Sequence, residues 1–181
     1  MRSQDEAEIV ACIPSLRRYA RALLADRDRA DDLVQDTLER ACARLALWRR
    51  QGEVRAWLFG IMHNQFVDRL RAQRSRPEDS AGDALPEQPQ RPLQTDALEL
   101  RDLERILQRL PPEQREVLLL VAVEEMSYLE VAGAVGVPLG TVMSRLSRAR
   151  ARLQEELQGP DPGRAGRERA GQVTDRIRRV K

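Results

Sequence analysis

A single histidine and two isolated cysteines in 181 residues leave little from which to build a metal site or a histidine-based triad. A zinc site would lack ligands, and no motif sets a nucleophile and an orienting acid beside His63. No Gly-rich phosphate loop appears either, so neither an enzyme nor a bound cofactor is expected. Cys12 and Cys42 each fall on the apolar side of a helical pattern and are expected as buried thiols, a redox pair or metal site being the alternative. Long apolar runs are missing too: Val117 to Val123 is the longest, far too short to span a bilayer. The N-terminus, MRSQDEAEIV, is acidic and has no long apolar core, so no secretory signal peptide is expected. Aromatics make up only 3%, which leaves periodic Leu, Ala and Val to form small aliphatic helical cores. The net charge is only +2 although 33% of residues are charged, which excludes a protein that coats DNA by charge alone. The length allows one domain or two small ones.

What is present centres on Met126 to Leu157, MSYLEVAGAVGVPLGTVMSRLSRARARLQEEL. Gly136 suits a helix end needing positive φ, and Pro138 suits the first turn of the next helix. Leu129, Val131, Ala132 and Val135 give the first helix an apolar face. Leu139, Val142, Leu146, Ala149 and Leu153 recur at spacings of three and four in the second, the mark of one buried stripe. Thr141, Ser144, Arg145, Arg148 and Arg152 occupy its other face, which is the helix-turn-helix pattern of a DNA reader. The alternative is an amphipathic helix with a solvated Arg face. Against it, Arg145, Arg148, Arg150 and Arg152 have no acidic residue among them until Glu155, so the usual i,i+4 pairing is missing.

From the start of the chain, Asp5 to Leu24 is helical by pattern, with Ile9, Ile13, Leu16, Ala20 and Leu23 on one face and a break or restart expected at Pro14. After a loop at Ala25 to Arg27, Asp28 is the expected N-cap of a helix running to about Leu47, its buried stripe Val34, Leu38, Ala41 and Leu45. Its outer face, Asp32, Gln35, Asp36, Glu39 and Arg40, is either merely solvated or a docking face for a protein, since it would repel phosphates. A helix follows from about Val54 to Arg74. Every Trp and Phe lies between Trp48 and Phe66. They build the core of a small bundle, or some of them stack unpaired bases while neighbouring arginines follow the backbone. From Arg76 to about Thr95 four prolines and no helical period read as a flexible linker. Helical pattern resumes near Asp96 and stops at Pro111-Pro112; the next helix starts at Pro112 with Glu113 in its first turn and completes a four-helix unit. Beyond Gln158 the Gly- and Arg-rich tail is expected to be disordered.

Taken in order, DDLVQDTLERACARL, VRAWLFGIMHNQFVDRLR, a linker, and LPPEQREVLLLVAVEEMSYLEVAGAVGVPLGTVMSRLSRARARL resemble the two conserved domains of bacterial extracytoplasmic-function (group four) sigma factors. The likeness runs from about Asp5 to Leu157 and departs from the family at His63 and Met143. It implies an all-α protein of two small helical domains: residues 1–75 for polymerase docking and promoter opening, a flexible linker at 76–95, a helix-turn-helix domain at 96–158, and a disordered basic tail at 159–181. It implies a cytoplasmic protein with core RNA polymerase, promoter DNA and an anti-sigma factor as partners, and no membrane insertion. Residue by residue, Asp31, Asp32, Leu33, Val34, Gln35, Asp36 and Thr37 match the helix that docks on the polymerase clamp. The loop with Trp48, Arg49, Arg50 and Gln51, and the helix with Trp57, Asn64, Asp68, Arg69 and Arg71, match the surface that captures the single-stranded downstream element. Thr141, Ser144, Arg145 and Arg148 match the face that reads the upstream element. A helix-turn-helix repressor or activator, which needs a dimer for two half-sites, is the other reading; a nucleic-acid enzyme would need clustered carboxylates or a metal site, which the sequence does not offer.

Overall fold

The structure, a computed structural model, describes residues 2–45, 48, 53–75 and 103–158. Its regular elements are helices: α1 (Arg2–Leu24), α2 (Arg27–Arg44), α3 (Val54–Ser75), α4 (103–109), α5 (Pro112–Ala122), α6 (Tyr128–Val135) and α7 (Leu139–Gln158). Among the described residues there is no strand, and the all-α class expected from the sequence is what is found. The linker at 76–95, the first turns expected from Asp96 and the tail from 159 lie outside the described residues.

Helix α1 crosses Pro14 without a break, contrary to the restart that the proline suggests. Pro14 removes one i→i−4 bond, to the carbonyl of Val10. Both residues are on the solvent side, where water can satisfy that carbonyl, and Ile9, Leu16, Tyr19, Ala20 and Leu23 keep the helix seated from the opposite side. Ala25 then takes φ +57 and turns the chain, leaving Asp26 extended. The N-cap of α2 is therefore Asp26, which accepts a bond from the Arg29 amide at 3.0 Å, and not Asp28, which sits inside the first turn. Helix α2 buries Ala30, Leu33, Val34, Thr37 and Ala41, with Leu38 and Leu45 only half-buried. Cys42 is one position past that stripe, a rotation of about 100°, and so is exposed rather than buried; Cys12 is half-buried, and burial pushes its thiol pKa up.

Helix α3 has no polar side along its first three turns. Val54, Leu58, Phe59, Ile61, Met62, Gln65 and Phe66 are all buried, as expected of a helix apolar all round and covered on several sides. Helices α1 and α2 pack on one flank, with Tyr19 edge-on to Phe59 at 5.1 Å. On the other flank α6 lies against α3 so closely that a Cβ on Gly60 would come within 3.3 Å of the Ala134 carbonyl oxygen. Helix α5 packs on α1 as well, so the N-terminal module (α1–α3) and the C-terminal module (α4–α7) share one continuous core. The sequence pattern, read module by module, does not reveal that junction.

Candidate nucleic-acid interface

The helix-turn-helix is set by three local devices. Ser127 and Glu130 form a capping box at the start of α6, the Ser127 hydroxyl accepting from the Glu130 amide and the Glu130 carboxylate accepting from the Ser127 amide at 2.7 Å. Those bonds hold the Glu130 carboxyl below its ordinary value. At the other end Gly136 adopts φ +65, and its amide and that of Val137 both reach the Ala132 carbonyl, closing the helix. The Pro138 carbonyl then accepts from Thr141 and Val142 to open α7. Ser127→Ala removes the cap, and α6 is expected to lose about 1 kcal/mol, read as a lower melting midpoint. Because the Glu130 pKa is depressed on folding, its contribution is complete above the ordinary glutamate range and is lost as pH falls through the lowered value. The Ser127→Ala deficit therefore narrows in acid, and a pH series of melting curves checks it.

The expected stripe on α7 holds at Val142, Leu146 and Ala149, which are buried, and at Leu153, which is half-buried. Leu139, at its beginning, is 43% exposed because it precedes the part of the helix that α5 and α6 cover. Leu129 departs further, at 73% exposed. It is two positions from Val131, about 200° around the helix, and so cannot share its buried face. On the solvent side of α7, Arg148 is exposed and Thr141, Ser144 and Arg145 are half-exposed. The Ser144 hydroxyl donates to the Thr141 carbonyl at 3.0 Å. Among the described residues no salt bridge engages Arg145 or Arg148, whereas farther along α7 Glu156 is taken by Arg109 at 2.6 Å. Ser147 and Met143, neither singled out as base-reading, also lie open on this helix, Ser147 between Ser144 and Arg148.

In the N-terminal module, Trp48 and Trp57 stack at 5.3 Å with 22° between their planes, both half-exposed. Asn64 is exposed one turn beyond Gly60, its amide donating to the Gly60 carbonyl at 2.9 Å. Asp68 and Arg71 pair loosely at 3.8 Å on the surface. Arg69 is not free for a phosphate: its guanidinium meets Asp36 at 2.5 Å and the Arg29 carbonyl at 3.1 Å, tying α3 to α2. Arg49, Arg50 and Gln51 lie outside the described residues. A cavity of about 630 Å³ lies between α3 and α6, lined by Arg44, Trp57 and Asn64 on one side and Glu130 and Gly133 on the other.

The acidic helix presents only part of its motif. Leu33, Val34 and Thr37 are buried, Thr37 bonding the Leu33 carbonyl at 2.7 Å. Asp31, Asp32 and Gln35 are exposed and Asp36 is half-exposed beside Arg69. Two carboxylates that drew no attention in the sequence, Glu116 and Glu124, are buried at the junction of the modules. Tyr19 reaches Glu116 there, and burial first, with that carboxylate second, lifts the tyrosine pKa well above its ordinary value. The one cue in the sequence was their position, Glu116 directly before and Glu124 directly after the apolar run Val117 to Val123. Among the described residues no group of three or more His, Cys, Asp or Glu could hold a metal, and no helix is long and apolar enough to cross a membrane.

Residues 9–63 match the Sigma2 domain of PhyR, and residues 100–153 match Sigma-70, region 4. The chain is similar to the ECF RNA polymerase sigma factor EcfG of Rhodopseudomonas palustris (strain TIE-1), 40% identical over 150 residues covering 83% of each. It is 32% identical over 161 residues to the probable RNA polymerase sigma-C factor of Mycobacterium bovis, covering 86% of this chain and 84% of the relative. Among solved structures it resembles the sigma factor RpoE in complex with the anti-sigma factor NepR from Bartonella quintana, with a TM-score of 0.72 and 36% identity over 86% of this chain and 98% of that one. CnrH in complex with the cytosolic domain of CnrY gives a TM-score of 0.67 and 27% identity over 89% of this chain and 92% of that one.

Proposed function

Since the chain belongs to the extracytoplasmic-function sigma factors of RNA polymerase, proteins that direct polymerase to promoters, we propose how its residues divide that work. Residues 1–75 dock on core polymerase through Asp31, Asp32 and Gln35 and receive the single-stranded downstream element at Trp48, Trp57 and Asn64. Residues 96–158 read the upstream element in the major groove through Thr141, Ser144, Arg145 and Arg148. The observation that carries the reading is the open Arg145–Arg148 face of α7, set behind the Gly136 turn and unneutralised by neighbouring carboxylates among the described residues. Two weak DNA-binding modules on one chain gain effective concentration once polymerase holds them at the spacing of the promoter. The protein works where polymerase works, inside the cell, and an anti-sigma factor is its further partner. Co-purification with core polymerase and run-off transcription on genomic fragments test the assignment: discrete start sites that depend on this protein are expected, and their absence with properly folded protein would refute it.

The segment 76–95 carries Glu78, Asp79, Asp83 and Glu87, which a simple tether does not require. Replacing it with a neutral Gly/Ser chain of equal length keeps the reach and removes the charge. Polymerase binding is then expected to be mostly kept while initiation or promoter escape is altered, as scored by the ratio of abortive to full-length RNA.

A further inference from the structure

The open side of α7 carries two neighbouring ridges of opposite chemistry. Residues four apart stack along one ridge of a helix. The first ridge runs through Gly140, Ser144, Arg148 and Arg152; it is polar and cationic, and it includes Ser144 and Arg148, assigned above to the upstream element. The second runs through Leu139, Met143, Ser147 and Ala151 and has no role so far. Every one of these residues is exposed except Ser144, which is half-exposed. Met143 is the most open apolar side chain of this stretch, at 53%. Leu139 lies one turn before it on the same ridge and extends the apolar surface. A Cβ placed on Gly140 would meet nothing within 4 Å, so no other described part of the chain crowds this end of the face.

A single exposed apolar side chain needs no explanation by itself; the position of this one supplies it. Met143 is in the second turn of α7, beside Ser144, and the N-terminal residues of a recognition helix are those that approach base edges. From Met143 to Arg148 the helix rises about 7.5 Å, roughly two base-pair steps of duplex. Of the four bases only thymine offers an apolar group to the major groove, its C5-methyl; the other edges present donors and acceptors. A methionine side chain has no donor and only a weak sulfur acceptor. Against adenine, guanine or cytosine it would take water from polar edges and return no hydrogen bond, whereas a methyl group loses nothing by the exchange. Its unbranched, polarizable chain also adapts to the position of that methyl. We propose that Met143 is a specificity-determining residue, packing on the C5-methyl of a thymine within about three base pairs of the pair contacted by Arg148. The proposal rests on the assignment of α7 to the upstream element and adds a base to what it reads.

Deoxyuridine differs from thymidine only by lacking that methyl, so the test removes one contact from either side. A promoter found by run-off transcription is prepared with each thymine of its upstream element, on both strands, replaced singly by deoxyuridine. Affinity for each duplex is measured for the full-length protein bound to core polymerase, as wild type, Met143→Ala and Met143→Leu. One replacement near the Arg148 position is expected to weaken wild type about threefold to tenfold. Met143→Ala is expected to bind the unmodified promoter weakly by a similar factor and to be indifferent to the same replacement, while Met143→Leu keeps the sensitivity. Because the side chain is exposed, melting should be unchanged in both variants. The proposal is overturned if no methyl matters to wild type, if the element has no A·T pair in that range, or if Met143→Ala remains as sensitive as wild type. A loss of polymerase binding itself in Met143→Ala overturns it too, since the exposed methionine then serves a protein contact. If changing whole base pairs across the element leaves wild-type affinity unaltered and Arg148→Ala is neutral, the assignment of α7 falls and takes the proposal with it. Dependence on base pairs and on Arg148, with indifference to every methyl, removes Met143 alone.

Discussion

Arg148→Ala is expected to lower promoter-specific transcription on the order of tenfold or more and to relax preference at one upstream base pair. Arg148 lies on the exposed side of α7, opposite the buried Leu146 and Ala149, with no carboxylate partner among the described residues. It can extend into a major groove without first breaking an ion pair. An arginine held bidentate to guanine carries roughly 1–3 kcal/mol of discrimination, and about 1.4 kcal/mol is tenfold. The protein's net charge of +2 supplies little non-specific attraction. Duplex binding by the free protein should therefore be weak and salt-sensitive, with sequence preference appearing only with core polymerase. The measurement is affinity for a selected promoter duplex at physiological salt, with and without polymerase, for wild type and Arg148→Ala. Tight specific binding by free protein, indifferent to polymerase, would instead favour a stand-alone repressor.

Charge reversal on α2 is expected to have the next largest effect, and the structure decides which residues to reverse. Asp32 and Gln35 are exposed, and Gln35 bonds its neighbour Glu39 at 3.0 Å. Asp36 is half-exposed but paired with Arg69. Arginine at position 36 would set two guanidiniums against each other and loosen α2 from α3, confusing docking with folding. Asp32→Arg/Gln35→Arg avoids this. Polymerase affinity is expected to fall at least tenfold, since like charges facing each other across an interface cost several kcal/mol, while melting shifts little. Unchanged polymerase affinity with a normal melt would remove α2 from the docking surface.

The readable parts of this protein are those decided within one helix or one turn. Val142, Leu146 and Ala149 announce the buried side of α7 by spacing alone, and Gly136 announces a left-handed residue because only a side chain lacking Cβ takes φ +65 without strain. Pro111-Pro112 likewise marks where α5 begins. Local rules fail where an alternative is nearly as good a few residues away. Asp26 and Asp28 can both cap, and the turn made by Ala25 chooses between them. Pro14 interrupts a helix in principle, yet costs little when the freed carbonyl faces water. What no local rule can reach is the junction of the modules: Ser15 and Arg18 meet Glu124, more than 100 positions later. The apolar circumference of α3 was the trace of that meeting, since two neighbouring helices alone do not cover a helix on all sides. The candidate site was legible to the same extent. Its residue types stood in the sequence, but the capture of Asp36 by Arg69, and the wall that α6 sets beside Trp57, belong to packing between elements.

The junction also orders events during synthesis. Helices α1 to α3 leave the ribosome well before α6 exists, and at roughly 5–20 residues per second the stretch from Ser75 to Val135 takes several seconds to appear. For that interval the flank of α3 around Gly60 and His63 is bare, and until Glu124 appears Arg55 and Arg18 lack the carboxylate they share. Until α6 arrives, that apolar flank stays exposed to water. Docking of the second module is then a late, loop-closing step, following the fast local folding of each helical half.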